Sequence, residues 1–250
     1  MEACALNDFY TPAQRARFLS AVSSRRSVRA YRGNPDVEQL SALNYAAARL
    51  CLPGVRIAIG EGESESLFRK LPGIERISGA SRYAAVIVKE DLPHAAVHAG
   101  ISGEAFVLEA VSLGLGTCWV ASFKRSGINV GMEYGEKVLA VTPLGVPGGE
   151  GAGRKRKKLS EICAGDPTVW PLWAYNAAEC VRQAPSALNL QPWRLSFAGR
   201  TLVLTRAAMG GSLDMGIAML HMSLGVGEKP HLMRWGEGKE IASLIAEDRI

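Results

Sequence analysis

Between Ile101 and Phe123 the chain reads ISGEAFVLEAVSLGLGTCWVASF, a run in which Glu104 and Glu109 are the only charged residues. A helix apolar around most of its circumference must be covered on most sides, so this segment belongs inside the protein. Gly114 and Gly116 supply its stop signal. It is not a membrane span, because no window of the chain reaches eighteen uninterrupted apolar residues. Covering such a helix takes a sizeable surrounding structure, and 250 residues with 48% apolar content can build one as a single large domain or two small ones.

Residues 11 to 22, TPAQRARFLSAV, read as a helix with Thr11 at the N-cap and Pro12 at its first position. DVEQLSALNYAAARL (36 to 50) continues as a helix, and VRIAIGE after it alternates as a strand does. RYAAVIVKE (82 to 90) has the continuous apolar run of a buried strand, whereas KVLAVTPLGVP (137 to 147) reads as a strand broken by Pro143 and Pro147. Further on come a helix around 172 to 183, strands at WRLSFAG and TLVLTR, and a second apolar helix, LDMGIAMLHMSLGVGE (213 to 228).

That second helix gives the chain an internal echo. SLGLG at 112 to 116 returns as SLGVG at 223 to 227, and RIAI (56 to 59) resembles RLSF (194 to 197), each after an alanine-rich helix. Both halves, approximately 20–160 and 168–250 of one domain spanning 1–250, then run helix, strand, buried helix. The order predicts an α+β architecture with strands paired between halves and helices packed at the centre.

Net charge is +5, much of it from GRKRKK at 153 to 158 with five consecutive basic residues. Such a run is either a solvated loop or a contact for an anion. No nucleic-acid reading module accompanies it, so nucleic acid is not expected and a phosphate on a small molecule is left. Met1 to Phe18 carries charges throughout, so neither a secretory signal nor an anchor is expected there. Cys4, Cys51, Cys118, Cys163 and Cys180 are odd in number and scattered, which predicts reduced thiols and a cytoplasmic protein without a membrane partner. His94, His98, His221 and His231 lack ligand spacing, so no metal is expected.

Two stretches look built for a ligand. RRSVR (25 to 29) sets guanidinium groups around a serine hydroxyl, a donor cluster suited to phosphate. PSALNLQPW (185 to 193) combines two backbone-restricting prolines with Ser186, Asn189, Gln191 and the flat Trp193. The second is either a wall for a planar ligand with a polar edge, or a polar turn pinned by prolines with Trp193 in the core.

Taken together, RRSVRAY, SLGLGTCWVASF, VLAVTPLGVP, RKRKKLSEI and APSALNLQPWRL resemble the motifs of the nitroreductase-like FMN flavoproteins, across most of residues 25 to 195. The resemblance implies a nitroreductase-like fold with antiparallel-rich sheets and central buried helices. It gives the FMN phosphate to Arg25, Arg26, Ser27 and Arg29 and to Arg154 and Arg156. Trp119, Val120, Ala121 and Ser122 would line the isoalloxazine ring, and Pro185, Ser186, Ala187 and Asn189 would contact flavin and ribityl. In the common family pattern the Pro-Ser-x-x-Asn motif follows soon after the Arg motif and acts on the partner subunit, whereas here it comes some 150 residues later. The first half has only LCLPGV at the matching place, and the second half has no Arg-rich motif. The resemblance therefore implies an internally duplicated pseudo-dimer with one FMN site per chain, able to work as a monomer, with higher assembly left open. The implied activity is hydride transfer from NADH or NADPH through flavin N5 to a small-molecule electron acceptor, a nitroaromatic, quinone or similar flat molecule, with no side chain acting as acid or base. Two other readings stay open, a non-catalytic FMN binder or sensor and another FMN enzyme of the same fold, such as a dehalogenase.

Overall fold

The computed structural model describes residues 6, 8–68, 76–149, 153, 155–207, 209–227, 231–236 and 240–246. The chain divides into two compact units, a middle unit of residues 24–154 and a terminal unit of residues 1–23 with 155–250. Helix α1 (Pro12–Ser24) ends at the first boundary.

The middle unit contains β1 (Tyr31–Gly33), α2 (Val37–Arg49), β2 (Val55–Glu61), α3 (Ser64–Leu67), β3 (Arg82–Lys89), α4 (Ala95–Ser112), β4 (Glu136–Leu144) and β5 (Val146–Pro147). Asp36 starts α2 by accepting from the Gln39 amide at 2.8 Å while the Gln39 side chain accepts from the Asp36 amide at 2.9 Å. Strands β2, β3 and β4 form an antiparallel sheet in that order, with Ile57 opposite Val86 and Ala85 opposite Val141. The central strand, β3, is buried from Tyr83 to Val88, as its unbroken apolar run requires. Helix α4 packs on all three strands and is buried nearly throughout, taking Glu104 and Glu109 inside with it. It stops as its sequence predicts. Gly114 adopts φ +80°, its amide donates to Val111 O, and the Leu115 amide donates to Ala110 O, so the last carbonyls are satisfied by a Schellman turn.

Pro143 does not break β4, contrary to expectation. Val141, two residues earlier, turns its amide away from β3 to Val120 O, so Pro143 also faces the outer edge, where the missing N–H costs no ladder bond. Past Leu144, β5 pairs with β1, with Tyr31 opposite Pro147.

The terminal unit adds α5 (Leu159–Ile162), α6 (Leu172–Gln183), β6 (Trp193–Ala198), β7 (Thr201–Arg206), α7 (Ser212–Gly225), β8 (His231–Trp235) and β9 (Glu240–Ala246). Its sheet has the antiparallel order β6-β7-β9-β8. Helix α7 is buried from Asp214 to Gly225 and packs on α6. Arg15 of α1 donates to the Leu224 carbonyl at 3.2 and 2.9 Å, which closes the C-terminal end of α7. Every named ladder lies within one unit. The α+β class with antiparallel sheets and buried helices is therefore as expected, but among the described residues the named strands do not pair between halves as expected. Among the described residues, no helix is long and apolar enough to cross a membrane, and no group of His, Cys, Asp and Glu could hold a metal ion.

Candidate functional site

The Arg-rich motif leaves α1 as an extended strip laced between neighbouring segments of the middle unit. Ser27 pairs with Thr117, and the Val28 amide donates to Thr117 O at 2.9 Å. Arg29 O accepts from Ser78, and Ala30 O accepts from Gly148 at 2.8 Å. Side chains of an extended backbone alternate between its two faces, and this strip follows that rule in part, since Val28 on the even face is as buried as Tyr31 on the odd one. Ser24 at the end of α1 and Arg26, Val28 and Arg32 of the strip line one cleft of ≈ 530 Å³, together with Val111, Gly114 and Leu115 and with Val146 to Gly149. Of the odd positions, Arg25 and Tyr31 are buried at 6% and 7% exposure. The Tyr31 hydroxyl donates to Val28 O at 2.7 Å, and burial pushes its pKa far above the usual phenol value.

Arg25 reaches the carboxylate of Glu104, which has no exposure, with Nε 3.9 Å from Oε1. Trp119 donates its indole N–H to the other oxygen, Oε2, at 2.7 Å. One buried acid on α4 thus joins two residues singled out from separate sequence motifs. Gly103 makes room for this arrangement, since any side chain there would collide with the Trp119 ring. Val120 is held to Val141 by two backbone hydrogen bonds of 2.9 Å, while Ala121 is exposed and Ser122 half-buried. Cys118 is buried, its amide donating to Thr142 Oγ1. Thr117 Oγ1, beside Ser27, is buried without a hydrogen-bond partner among the described residues.

In the terminal unit, the structure ties the basic run to the proline-bounded loop. Arg156 donates to Asn189 Oδ1 at 2.6 Å and to Gln183 O at 2.9 Å, and Asn189 Nδ2 donates to Lys155 O at 2.9 Å. The Lys157 amide donates to Gln191 Oε1, and Lys157 Nζ to Leu190 O, each at 2.8 Å. Within the loop, the Gln191 amide donates to Ser186 Oγ, and the Ala187 amide donates to Asp214 Oδ1 of α7 at 2.9 Å. Burial raises the Asp214 carboxyl above its ordinary pKa, against the opposing pull of the Ala187 and Gly211 amides. These bonds hold Leu188, Asn189 and Gln191 at positive φ, a costly conformation for side-chain-bearing residues. Pro185 is buried and Ala187 exposed. Trp193 is 2% exposed and starts β6, so it belongs to the core and not to an open wall.

The structure therefore brings Arg25 together with Trp119, and Arg156 together with Asn189. Arg154 lies outside the described residues. Glu104 and Arg32 escaped the sequence reading. An acid on a helix otherwise apolar but for Glu109 was the available signal for the first, and the period-two continuation of the Arg motif for the second.

The family model described as "Putative TM nitroreductase" matches residues 17–226. A protein described as a "putative nitroreductase" from Thermotoga maritima MSB8 superposes with a TM-score of 0.68 at 22% identity, covering 92% of this chain and 93% of its own. A nitroreductase with bound FMN from Desulfitobacterium hafniense DCB-2 gives a TM-score of 0.46 at 20% identity, covering 60% of this chain and 98% of its own. None of the curated proteins is a match. With the family model spanning both glycine-ended helices, the Arg motif and the proline-bounded loop, the chain belongs to the TM nitroreductase family and has the nitroreductase-like fold.

Proposed function

We propose that this protein is an FMN-dependent oxidoreductase that takes reducing equivalents from NADH or NADPH and reduces flat, electron-poor molecules such as nitroaromatics and quinones. Membership of a nitroreductase family across residues 17–226 carries this reading. The middle unit fits a flavin phosphate in its own chemistry. Arg25, Ser27 and Arg29 occupy alternate positions of one extended strip, and Thr117 Oγ1 beside Ser27 is a buried hydroxyl without a partner among the described residues. A buried hydroxyl in that state gains by donating to an anion.

When bound, FMN supplies the hydride-transfer chemistry, and the protein supplies binding and orientation. In this proposal Ser27 and Arg29 hold the phosphate, and Arg25, buried against Glu104, positions the strip behind them. Trp119, Val120, Ala121 and Ser122 flank the ring, and the Glu104 bond fixes the plane of the Trp119 indole. No side chain is required as acid or base. The Arg-rich motif occurs once in the chain, so one FMN per chain is expected.

The test is to reconstitute the purified protein, record its absorbance, and chromatograph the released cofactor. Anaerobic addition of NADH or NADPH should then bleach the flavin, and a nitroaromatic or quinone should restore it. FMN at one per chain and bleaching by at least one nicotinamide are the expected results. FAD, haem or no chromophore after reconstitution refutes the cofactor; FMN that no nicotinamide reduces refutes the activity.

A further inference from the structure

Tyr31 closes the Arg strip, and the segments around it are shaped to hold its ring. Gly116 and Gly145 face each other across an antiparallel bridge, with the Gly116 amide donating to Gly145 O at 2.8 Å. A Cβ on Gly116 would stand 3.1 Å from the Tyr31 ring and one on Gly145 3.0 Å from it, both inside ordinary van der Waals contact. The buried ring fills the space that the two glycines leave.

The hydroxyl has a separate task. Along the strip, Arg29 O and Ala30 O accept the backbone amides of Ser78 and Gly148, whereas Val28 O accepts from the Tyr31 hydroxyl at 2.7 Å. A phenylalanine would fill the same space and strand that buried carbonyl. The Val28 carbonyl and the Arg29 N–H belong to one planar peptide unit, so a bond that holds the carbonyl also fixes the direction in which the chain enters Arg29. The other side of Val28 is held as well, its amide donating to Thr117 O at 2.9 Å. Burial first and the neighbouring Cys118 next raise the Tyr31 pKa, while the Arg29 charge opposes them, so the guanidinium lies within electrostatic reach of the hydroxyl. The phenol therefore stays protonated at neutral pH and remains a donor.

We propose that Tyr31 is a positioning residue for the flavin phosphate: through Val28 O, its hydroxyl holds Arg29 in the orientation that meets the anion. Tyr31 stands behind the contacts and is not one of them. The inference rests on the flavin reading above and adds to it a residue that acts only through the strip.

The experiment titrates the full chain, freed of flavin, with FMN and with riboflavin, following the flavin fluorescence. Riboflavin has the same ring and ribityl chain and lacks the phosphate, so its affinity ignores the phosphate contacts. Tyr31→Phe should weaken FMN by about threefold to tenfold, the share of one neutral hydrogen bond, and leave riboflavin unchanged. In the Arg29→Ala background, Tyr31→Phe should weaken FMN no further, because a residue that acts through another has nothing left to position. Unchanged FMN affinity in Tyr31→Phe overturns the proposal. Equal loss of both flavins, as from a chain that no longer folds, makes the role structural and overturns it too. So do losses that add in the double variant. The wild type separates this failure from that of the flavin reading: a wild type that binds neither flavin, or FMN no more tightly than riboflavin, refutes the phosphate site itself and this inference with it.

Discussion

Glu104 is the most informative single position in the middle unit, because one fully buried carboxylate answers to both Arg25 and Trp119. Removing one partner of a buried ion pair costs about 3–5 kcal/mol, since the remaining charge stays desolvated. At 3.9 Å the Arg25–Glu104 pair sits at the loose end of ion-pair distances, so about 3 kcal/mol is appropriate for losing the charge alone. Glu104→Gln keeps an acceptor for the Trp119 N–H and should cost about that amount. Glu104→Leu also strands the indole N–H, adding about 1–3 kcal/mol. The decisive measurement is the double variant Arg25→Met/Glu104→Leu, which removes both charges at once and should cost far less than the two single changes together. Urea unfolding of the FMN-free full chain gives each value, with unchanged m-values as the condition for comparing them. A coupling of about 2–3 kcal/mol is expected for residues in one buried network. Additivity within about 0.5 kcal/mol would refute the pair, because two groups that do not interact lose stability independently.

In the terminal unit, Asn189→Ala should free the loop from Arg156 and Lys155 and add an αL penalty at φ +57°, whereas Asn189→Gly removes the same bonds without that penalty. Limited proteolysis within residues 185–191 should rise in the order wild type, Gly, Ala; identical rates would show that these bonds do not hold the loop. Asp214 sets a pH dependence. Its folded pKa is raised chiefly by burial, so the native state binds the proton before the unfolded chain does, and stability falls as pH climbs past the ordinary carboxylate value of 3.8. Asp214→Asn retains an acceptor for the Ala187 N–H without the charge. It should flatten the fall of the urea midpoint as pH rises above the ordinary carboxylate value and raise the neutral midpoint, and an unchanged pH slope would refute the assignment.

Much of the architecture was legible because its signals are strong and local. The all-round apolar character of α4 required burial, the glycine after it stopped the helix, and the unbroken run of β3 placed that strand at the centre of its sheet. Strands β8 and β9 were not legible. His231–Trp235 buries Met233 and Trp235 on alternate positions and Glu240–Ala246 buries Ala242, Ser243 and Leu244 in succession, but each run is short and the polar residues between them resemble those of a loop. Pro143 misled for a different reason: whether a missing N–H matters depends on which edge of the strand faces a partner, and local sequence does not contain that information. The proline-bounded loop had two readings in sequence. Its polar groups could meet a ligand or each other, and Ser186, Asn189 and Gln191 all make bonds within their own unit.

The Arg strip shows why adjacency in sequence is a poor guide to shared function in extended backbone. In a helix, residues three and four apart meet on one face; in an extended strip, immediate neighbours part company. Arg25 and Arg26 are one peptide bond apart, yet one is buried against a carboxylate and the other lines a cleft with Arg32, six residues along. Reading RRSVR as a single basic cluster therefore overstates the positive charge available to any one ligand and hides the contribution of Arg32. It also hides Glu104, which offsets the charge of Arg25 from a helix some eighty residues away. The potential at this strip is set by pairing as well as by position, so removing the charge of buried Arg25 should cost stability that removing that of exposed Arg26 does not, as urea unfolding of the two single variants would show.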